Sequence, residues 1–316
     1  MEAPVTSHGT VAIGIDIGGM SAKGGLVSSD GQVCAQASVT TADDDALTTV
    51  LSRYEALIRD LMGDARALGL RVVGIGVGVP GYLDDSRGAM SYGNVRSLEG
   101  FALRDHLADL FGVPVQLDND ANCAALAEYY WGNGFDCNRL LVVTVGSGIG
   151  VGVIIEGKLL RYTFGTAGEL GSIVVDARGR TAAFLGGRGG LESVASARAI
   201  LEAASSLSPR PASVAELAEL AHYQESAAVI LREAGWWLGV GVASWAPIFC
   251  PDRVLIGGGV AACGNLFVAA VRQATVETVP EFYGRRLSIE IASLGNSAGM
   301  MGASSLILQQ PAQAKH

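Results

Sequence analysis

Two stretches of the chain share one pattern of hydrophobic and polar positions: an apolar run, a short glycine-rich break and a second apolar run. They span residues 11–27 and 141–155. Apolar runs of this length, rich in Val and Ile, are typical of buried strands, and a glycine break between two such runs is typical of a hairpin turn. The pattern predicts two β-hairpins with glycine-rich turns, one in each half of the chain.

Strands and helices alternate after each predicted hairpin. Apolar residues recur at helical spacing over residues 46–68, and a buried-strand pattern follows at 72–79. The other predicted elements are a strand at 113–117 with a helix before it, helices at 122–130 and 226–249, a surface loop at 207–215 and a strand at 253–256. This alternation predicts an α/β fold, and the repeated hairpin predicts two lobes.

Composition and charge narrow the class of protein. The 316 residues are 49% hydrophobic and 17% charged, which is enough apolar material for two globular lobes. The formal net charge of -9 argues against nucleic acid or an anionic membrane as a partner. Residues 1–10 show no signal-peptide pattern, and no apolar run has the length of a membrane span. We expect a cytoplasmic globular protein.

The cysteines and histidines predict no metal site of their own. No pair of cysteines has C-x-x-C spacing, and the histidines lie far apart in the chain. An odd number of scattered cysteines in apolar segments predicts buried free thiols. The cysteines are Cys34, Cys123, Cys137, Cys250 and Cys263, and the histidines are His8, His106, His222 and His316.

Three glycine-rich turns are candidate phosphate sites. Asp16 ends the first predicted strand and precedes Gly18 and Gly19, where bare backbone N–H groups can approach an anion. The segments 146–150 and 257–259 offer similar backbone after later strands. An acid beside such a turn suits a magnesium-bound polyphosphate, although an ordinary hairpin turn has the same composition. The second turn lacks G-x-G-x-x-G spacing, which argues against a dinucleotide.

Short polar residues crowd the segment 117–122, where a predicted strand meets a predicted helix. One of them is expected to cap the helix. Phosphoryl transfer to an alcohol requires a carboxylate that accepts the hydroxyl proton and polar groups that hold neighbouring hydroxyls. Asp120 and Asn119 fit these two roles.

Seven stretches together carry a family resemblance that covers nearly the whole chain. They are DIGG at 16–19 with Lys23, VPG at 79–81, NDAN at 119–122, GSGIG at 146–150, AGELG at 167–171, GLE at 190–192 and GGG at 257–259. In this order they resemble the ROK family of bacterial sugar kinases and repressors, within the actin-like ATPase superfamily.

The resemblance implies a fold and an activity. The fold is α/β, a two-lobed actin-like ATPase (ribonuclease H-like) fold with a central cleft. We expect lobes at 1–119 and 120–316, with a last helix at about 297–310 packing back on the first lobe. The implied activity is ATP-dependent phosphorylation of the 6-hydroxyl of a hexose or amino-hexose such as glucose, glucosamine or kanosamine, by a homodimer with Mg²⁺ as cofactor.

The resemblance also implies a role for each matching residue. Asp120 is the expected catalytic base, and Asp16 is expected to orient magnesium through water. The expected sugar-binding residues are Gly81, Asn94, Asn119, Asp120, Glu169, Ser172 and Glu192. The expected ATP-binding residues are Asp16, Gly18, Gly19, Met20, Lys23, Gly146, Ser147, Gly148, Gly257 and Gly258.

The chain departs from the family pattern at the positions of a structural zinc site. Family members carry one His and three Cys there, and the aligned residues here are Ser172, Ala183, Leu185 and Gly190. We therefore predict no zinc, and a loop held by packing. Ser172 also replaces a histidine that touches the sugar, which favours an amino or otherwise modified hexose. Met20 replaces a frequent threonine near the phosphates.

Several alternatives stay open. The acceptor could be N-acetylmannosamine or a cyclitol, and the donor could be inorganic polyphosphate. The chain could be a non-catalytic sugar sensor, although the retention of Asp120 speaks against this. A repressor is disfavoured because only fifteen residues precede Asp16, too few for a DNA-binding module.

Overall fold

The computed structural model describes residues 9–41, 45–84, 86, 88–161, 169–181, 187–261 and 264–309. The chain divides into two compact units. The described part of the first unit lies within residues 9–131, Arg161 and 297–309, and that of the second within residues 132–160 and 169–296. Predictions that fall on His8, Ala183, Leu185, Cys263 and His316 lie outside the described residues.

The first unit is built on a five-stranded sheet in the order β3-β2-β1-β4-β7. The first three strands form an antiparallel meander, and β1, β4 and β7 run parallel. A separate hairpin of two strands follows β4. The strands are β1 (Thr10–Ile17), β2 (Ser21–Ser28), β3 (Val33–Thr40), β4 (Arg71–Val79), β5 (Gly81–Asp84), β6 (Ala89–Gly93) and β7 (Val115–Asn119).

Successive strand residues point to opposite faces of a sheet, so each face can bury apolar side chains against a helix. Helix α1 (Leu47–Ala67) buries apolar residues at helical spacing, such as Tyr54 and Leu61, in one core with Ile13 and Ile15 of β1. The other helices of the first unit are α2 (Leu103–Phe111), α3 (Asp120–Trp131) and α10 (Ala298–Leu308).

Helix α10 lies unusually close to the backbone of the sheet. Gly14 of β1 and Gly76 of β4 are partners in the parallel register. A Cβ atom on either glycine would overlap a carbonyl oxygen of α10, that of Met300 or that of Ala303. The paired glycines therefore allow the last helix of the chain to pack directly against the backbone of β1 and β4; we call this contact the seat of α10.

The second unit has a sheet with the same connectivity, in the order β10-β9-β8-β11-β12. Strands β8, β9 and β10 form an antiparallel meander, and β8, β11 and β12 run parallel. The strands are β8 (Arg139–Val145), β9 (Ile149–Ile155), β10 (Lys158–Leu159), β11 (Arg253–Gly257) and β12 (Ser288–Ile291). Both predicted hairpins are confirmed, since β1 pairs with β2 and β8 with β9.

The helical part of the second unit is centred on a long apolar helix, which the sequence predicted. This helix packs on its neighbour α8 through Gly235 and Gly239, where a Cβ would crowd the carbonyl oxygens of Phe267 and Val271. The helices are α4 (Glu192–Ala195), α5 (Ala197–Ala203), α6 (Val214–Leu220), α7 (Glu225–Phe249), α8 (Asn265–Thr278) and α9 (Glu281–Gly284).

The structure differs from the sequence predictions at some places. The predicted loop at 207–215 already contains the start of α6 at Val214, because the Ser213 hydroxyl caps that helix. Cys250 is exposed, unlike the predicted buried thiols, because it follows the last turn of α7 in a left-handed conformation. The compact units divide after Trp131, so that α3 belongs to the first unit. Within the described residues, no helix is long and apolar enough to cross a membrane.

Candidate functional site

The carboxyl ends of the parallel strands of the first unit carry its candidate polar residues. In the sheet register Asp16 of β1 lies beside Gly78 of β4, and Gly78 lies beside Asp118 of β7. A Cβ on Gly78 would be 3.2 Å from the Cys123 thiol and 3.5 Å from the Cα atom of Asp120. Residue 78 therefore lets the start of α3 approach the sheet, and the acids at the ends of β1 and β7 and at the start of α3 share this edge.

Asn119 is the N-cap of α3, as predicted for one residue of its segment. Its Oδ1 atom accepts hydrogen bonds from the N–H groups of Ala121 at 2.9 Å and Asn122 at 3.2 Å. Asp120 is consequently the first residue of the helix, half-buried, with its Oδ1 accepting from the Ala121 N–H at 2.8 Å. The positive end of the helix dipole stabilises a carboxylate at this position.

Asn119 also joins the helix start to the β5–β6 hairpin. Its Nδ2 donates to the carbonyl of Gly81 at 3.2 Å, and the Asn94 N–H donates to the Pro80 carbonyl at 3.1 Å. Gly81 has a φ of 155° and passes close to the Tyr92 carbonyl, where a Cβ would overlap. The structure therefore brings Gly81, Asn94, Asn119 and Asp120 to one end of the first unit.

Asp16 lies at the glycine turn between β1 and β2. Its carboxylate packs against Gly299 at the start of α10, and Lys23 is its register partner on β2. Burial raises the pKa of Asp16, and the positive charge of Lys23 partly opposes this. The turn is closed by a hydrogen bond from the Gly18 N–H to the Ser21 carbonyl at 2.9 Å, and Met20 is 84% exposed at its tip.

An ion pair between a buried acid and a half-exposed arginine lies next to the N-cap and was not among the sequence predictions. Asp118 is almost fully buried and pairs with Arg161, whose Nε donates to Asp118 Oδ2 at 3.0 Å. Burial raises the pKa of Asp118, and Arg161, Asn122 and the Asn119 N–H oppose the rise. Asp118 stood within the polar segment that was predicted, but no spacing signal connects it with Arg161, which lies 43 residues away.

In the second unit, the side chain of Glu192 contacts the predicted glycine turn. The turn between β8 and β9 is closed by the Gly146 N–H, which donates to the Gly148 carbonyl at 2.9 Å. Glu192 Oε2 accepts from the Ile149 N–H at 3.2 Å and would lie 2.7 Å from a Cβ on Gly148. Burial raises the pKa of Glu192, and the Ile149 N–H and Arg198 oppose the rise. Ser147 is exposed at the tip.

The third glycine run lies beside this turn. Gly257 pairs with Thr144 in the parallel register of β11 and β8. Gly258 has a φ of 83°, and a Cβ there would overlap the carbonyl of Val145, directly before the turn. Only glycine fits both constraints without strain. The second unit thus places two stretches of bare backbone at one edge of its sheet.

The segment with Glu169 and Ser172 packs on the same edge. Gly171 passes so close to the Ile149 carbonyl that a Cβ would overlap it, and the Ser172 N–H donates to the Glu169 carbonyl at 2.9 Å. Residues 173–176 are joined to residues 189–191 by backbone bonds, such as that from the Leu191 N–H to the Ile173 carbonyl at 2.9 Å.

The described parts of this loop are therefore held by backbone hydrogen bonds. Ser172 and Gly190, which stand at two of the four zinc-aligned positions, are neighbours, because a Cβ on Gly190 would be 3.4 Å from the Ser172 carbonyl oxygen. In the part of the chain that the structure describes, no group of three His, Cys, Asp or Glu side chains is placed to hold a metal ion.

The chain is similar to known proteins over almost its full length. The sequence model of the ROK family matches residues 12–310. The glucokinase of Thermotoga maritima is 32% identical over 315 residues, which cover 94% of this chain and 97% of that enzyme.

The fold of this chain is also similar to solved structures over almost its full length. A ROK family glucokinase from Streptomyces griseus, in complex with glucose and AMPPNP, has 29% identity and a TM-score of 0.82, covering 95% of this chain and 99% of that one. A ROK hexokinase from Thermus thermophilus has 31% identity and a TM-score of 0.78, covering 93% of this chain and 96% of that one.

Proposed function

This chain belongs to the ROK family, and from that premise we propose that it is an ATP-dependent kinase that phosphorylates the 6-hydroxyl of a hexose or amino-hexose. Its fold is that of the ROK kinases, within the actin-like ATPase superfamily. The observation that carries the proposal is the placement of Asp120 at the first position of α3, beside the capping amide of Asn119 and the carbonyl of Gly81.

Asp120 is the proposed general base. The half-buried carboxylate of Asp120 faces the positive end of the helix dipole and is held in place by the first turn. Its task is to accept the proton of the 6-hydroxyl as the oxygen attacks the γ-phosphorus. Since phosphoryl transfer depends mainly on positioning and charge stabilisation, the rigid placement of this group matters as much as its basicity.

The proposed sugar contacts fall into one set in each unit. The Nδ2 group of Asn119 uses one of its hydrogens on Gly81 and retains a second donor for a hydroxyl. The other members of the first set are Gly81 and Asn94, and those of the second set are Glu169, Ser172 and Glu192. Carboxylates accept hydrogen bonds from sugar hydroxyls, and Ser172 in place of a histidine supports a modified or amino-hexose.

The proposed ATP contacts are the backbone N–H groups of the two glycine turns, together with Gly257 and Gly258. At Gly148 and Gly258 a Cβ would overlap Glu192 or Val145, which supports a role for bare backbone at these two positions, because such a surface can approach phosphate closely. The other proposed ATP contacts are Gly18, Gly19, Met20, Lys23, Gly146, Ser147 and Gly148. We propose Asp16 as the residue that holds Mg²⁺ through water, since carboxylate oxygen is the ligand type this ion prefers. When bound, the ion neutralises charge on the phosphates.

The test is a coupled ADP-release assay with ATP and MgCl₂. Glucose, mannose, glucosamine, kanosamine, N-acetylmannosamine and a cyclitol serve as acceptors, and inorganic polyphosphate serves as an alternative donor. We expect turnover of a hexose or amino-hexose. If no acceptor is phosphorylated while a sugar binds by calorimetry, the chain is a non-catalytic sensor and the proposal is wrong.

Two matched carboxylate-to-amide variants separate catalysis from binding. Replacement of Asp120 by Asn removes the base while keeping its shape, and we expect kcat to fall by about 10²-fold or more with little change in sugar affinity. Replacement of Glu192 by Gln should mainly raise the KM for sugar. Near wild-type turnover in the Asp120→Asn enzyme would exclude Asp120 as the base.

A further inference from the structure

The charges of three acids of the first unit act on one buried thiol. Burial raises the pKa of Cys123, and the charges of Asp118, Asp16 and Asp120 raise it further, whereas Arg161 lowers it. Within the described residues, Lys23 is the cation that acts on Asp16, and Arg161 is the cation that acts on Asp118. The electrostatic balance of this cluster therefore depends on Arg161.

Both oxygens of the Asp118 carboxylate are engaged. The guanidinium of Arg161 donates to Oδ2 through Nε at 3.0 Å and through Nη2. The Oδ1 atom accepts from the Asn119 N–H at 2.7 Å and from Asn122 Nδ2 at 2.7 Å. The Arg161 fork therefore sets the orientation in which Oδ1 meets the residues on either side of Asp120.

The exposure of the two partners is asymmetric. The Asp118 side chain is 3% exposed, whereas that of Arg161 is 43% exposed. A charged carboxylate at such a depth requires a cation, because water does not solvate it. The half-exposed guanidinium can supply that charge from the surface. A pair of this kind differs from the ordinary exposed ion pairs of this chain, such as Arg285 with Glu281.

We propose that Arg161 is a positioning residue for phosphoryl transfer, which holds the Asp118 carboxylate and thereby fixes the first turn of α3 and the place of Asp120. It acts through Asp118, and through that carboxylate on Asn119 and Asn122. The inference rests on the proposed role of Asp120 as general base.

The main test compares Arg161→Gln with the wild-type enzyme, with glucose, ATP and MgCl₂ as substrates. We expect kcat to fall by about 10-fold or more, since small misplacements of catalytic groups are costly, while the KM for glucose changes little. The matched control is Arg285→Gln, which removes an exposed ion pair of the same chemistry and should leave kcat and stability unchanged.

The pH profile distinguishes positioning from a merely structural role. Without Arg161 the buried carboxyl of Asp118 keeps its hydrogen bonds from the Asn119 N–H and Asn122 Nδ2 but loses its cation, so its pKa rises further. It then takes up a proton at a higher pH, and the acid limb of kcat shifts to higher pH. In the double variant Asp118→Asn, Arg161→Gln this carboxyl is absent, and the acid limb should return to its wild-type position. Unchanged kcat and an unchanged pH profile in Arg161→Gln would overturn the inference.

A readout independent of activity separates this inference from the proposed function. If the wild-type protein phosphorylates no acceptor, the function fails, but amide hydrogen exchange at Ala121 and Asn122 still reports on the start of α3. We expect faster exchange there in Arg161→Gln than in Arg285→Gln, and equal exchange would contradict the inference. If Arg161→Gln does not fold, Arg161→Lys carries the test. It keeps the charge without the fork, so a lowered kcat supports positioning and wild-type kcat and pH profile refute it.

Discussion

Partly or fully buried carboxylates characterise the candidate site at the scale of single residues. Burial raises the pKa of Asp16, Asp118 and Glu192 above the ordinary values of these groups. An acid whose pKa is higher in the folded than in the unfolded chain binds protons more readily when folded. Its ionised form therefore destabilises the fold, and stability from that group declines as the pH rises through this range. The burial of these three acids therefore lowers the stability of the fold when they are ionised.

Asp16 provides the residue-scale prediction. Replacement by Asn removes the buried charge and should raise the free energy of unfolding at neutral pH by about 1 kcal/mol, while kinase activity falls. The gain should shrink as the pH falls through the raised pKa of Asp16, because the wild-type carboxyl is then also neutral. Thermal melts across the acid range measure this. A variant that is less stable than wild type at neutral pH would show that the Asp16 charge is well compensated.

Close backbone packing of α10 is the main feature at the scale of elements. Besides its seat on Gly14 and Gly76, this helix contacts α3 at Gly302, where a Cβ would overlap the carbonyl of Cys123. One helix therefore touches β1, β4 and α3, which carry Asp16, Gly78 and Asp120. Contacts between backbones leave no flexible side chain to adjust, so any added atom moves a whole element.

A pair of glycine-to-alanine variants tests this packing. Gly302→Ala should lower the free energy of unfolding by about 2 kcal/mol or more, because the methyl group has no space. Gly63 lies inside α1 with no atom within 4 Å of its Cβ direction, so Gly63→Ala should stabilise the protein by about 0.5–1 kcal/mol through helix propensity. Urea denaturation compares the two. Equal effects of the two variants would contradict the close packing of α10.

Ligand binding gives the prediction for the whole molecule. A hexose that binds only the folded chain should raise the melting temperature. At a concentration of 100 times its Kd, it should raise the free energy of unfolding by about 2.7 kcal/mol. Asp120→Asn should show the same stabilisation, because the proposed base acts in phosphoryl transfer and not in sugar binding. Differential scanning calorimetry with glucose and glucosamine measures both proteins. A sugar-induced shift that is lost in Asp120→Asn would assign Asp120 to binding.

Much of the architecture and the candidate site could be predicted from local sequence. The two glycine-broken apolar runs predicted the hairpins β1–β2 and β8–β9, because strand alternation and turn chemistry are local properties. The helix at 226–249 was long and apolar enough to identify, and the helix cap was visible as a cluster of short polar residues within 117–122. The order of the motifs was sufficient to identify the ROK family.

Contacts between distant segments were decided only by the tertiary structure. The pairing of Asp118 with Arg161 and the contact of Glu192 with the Ile149 N–H join residues that lie 43 positions apart in each case. The seat of α10 on Gly14 and Gly76 likewise joins the end of the chain to its beginning. Local periodicity determines which residues form a strand, a helix or a turn, but which buried charge meets which cation depends on how those elements pack, and that information is spread over the whole chain.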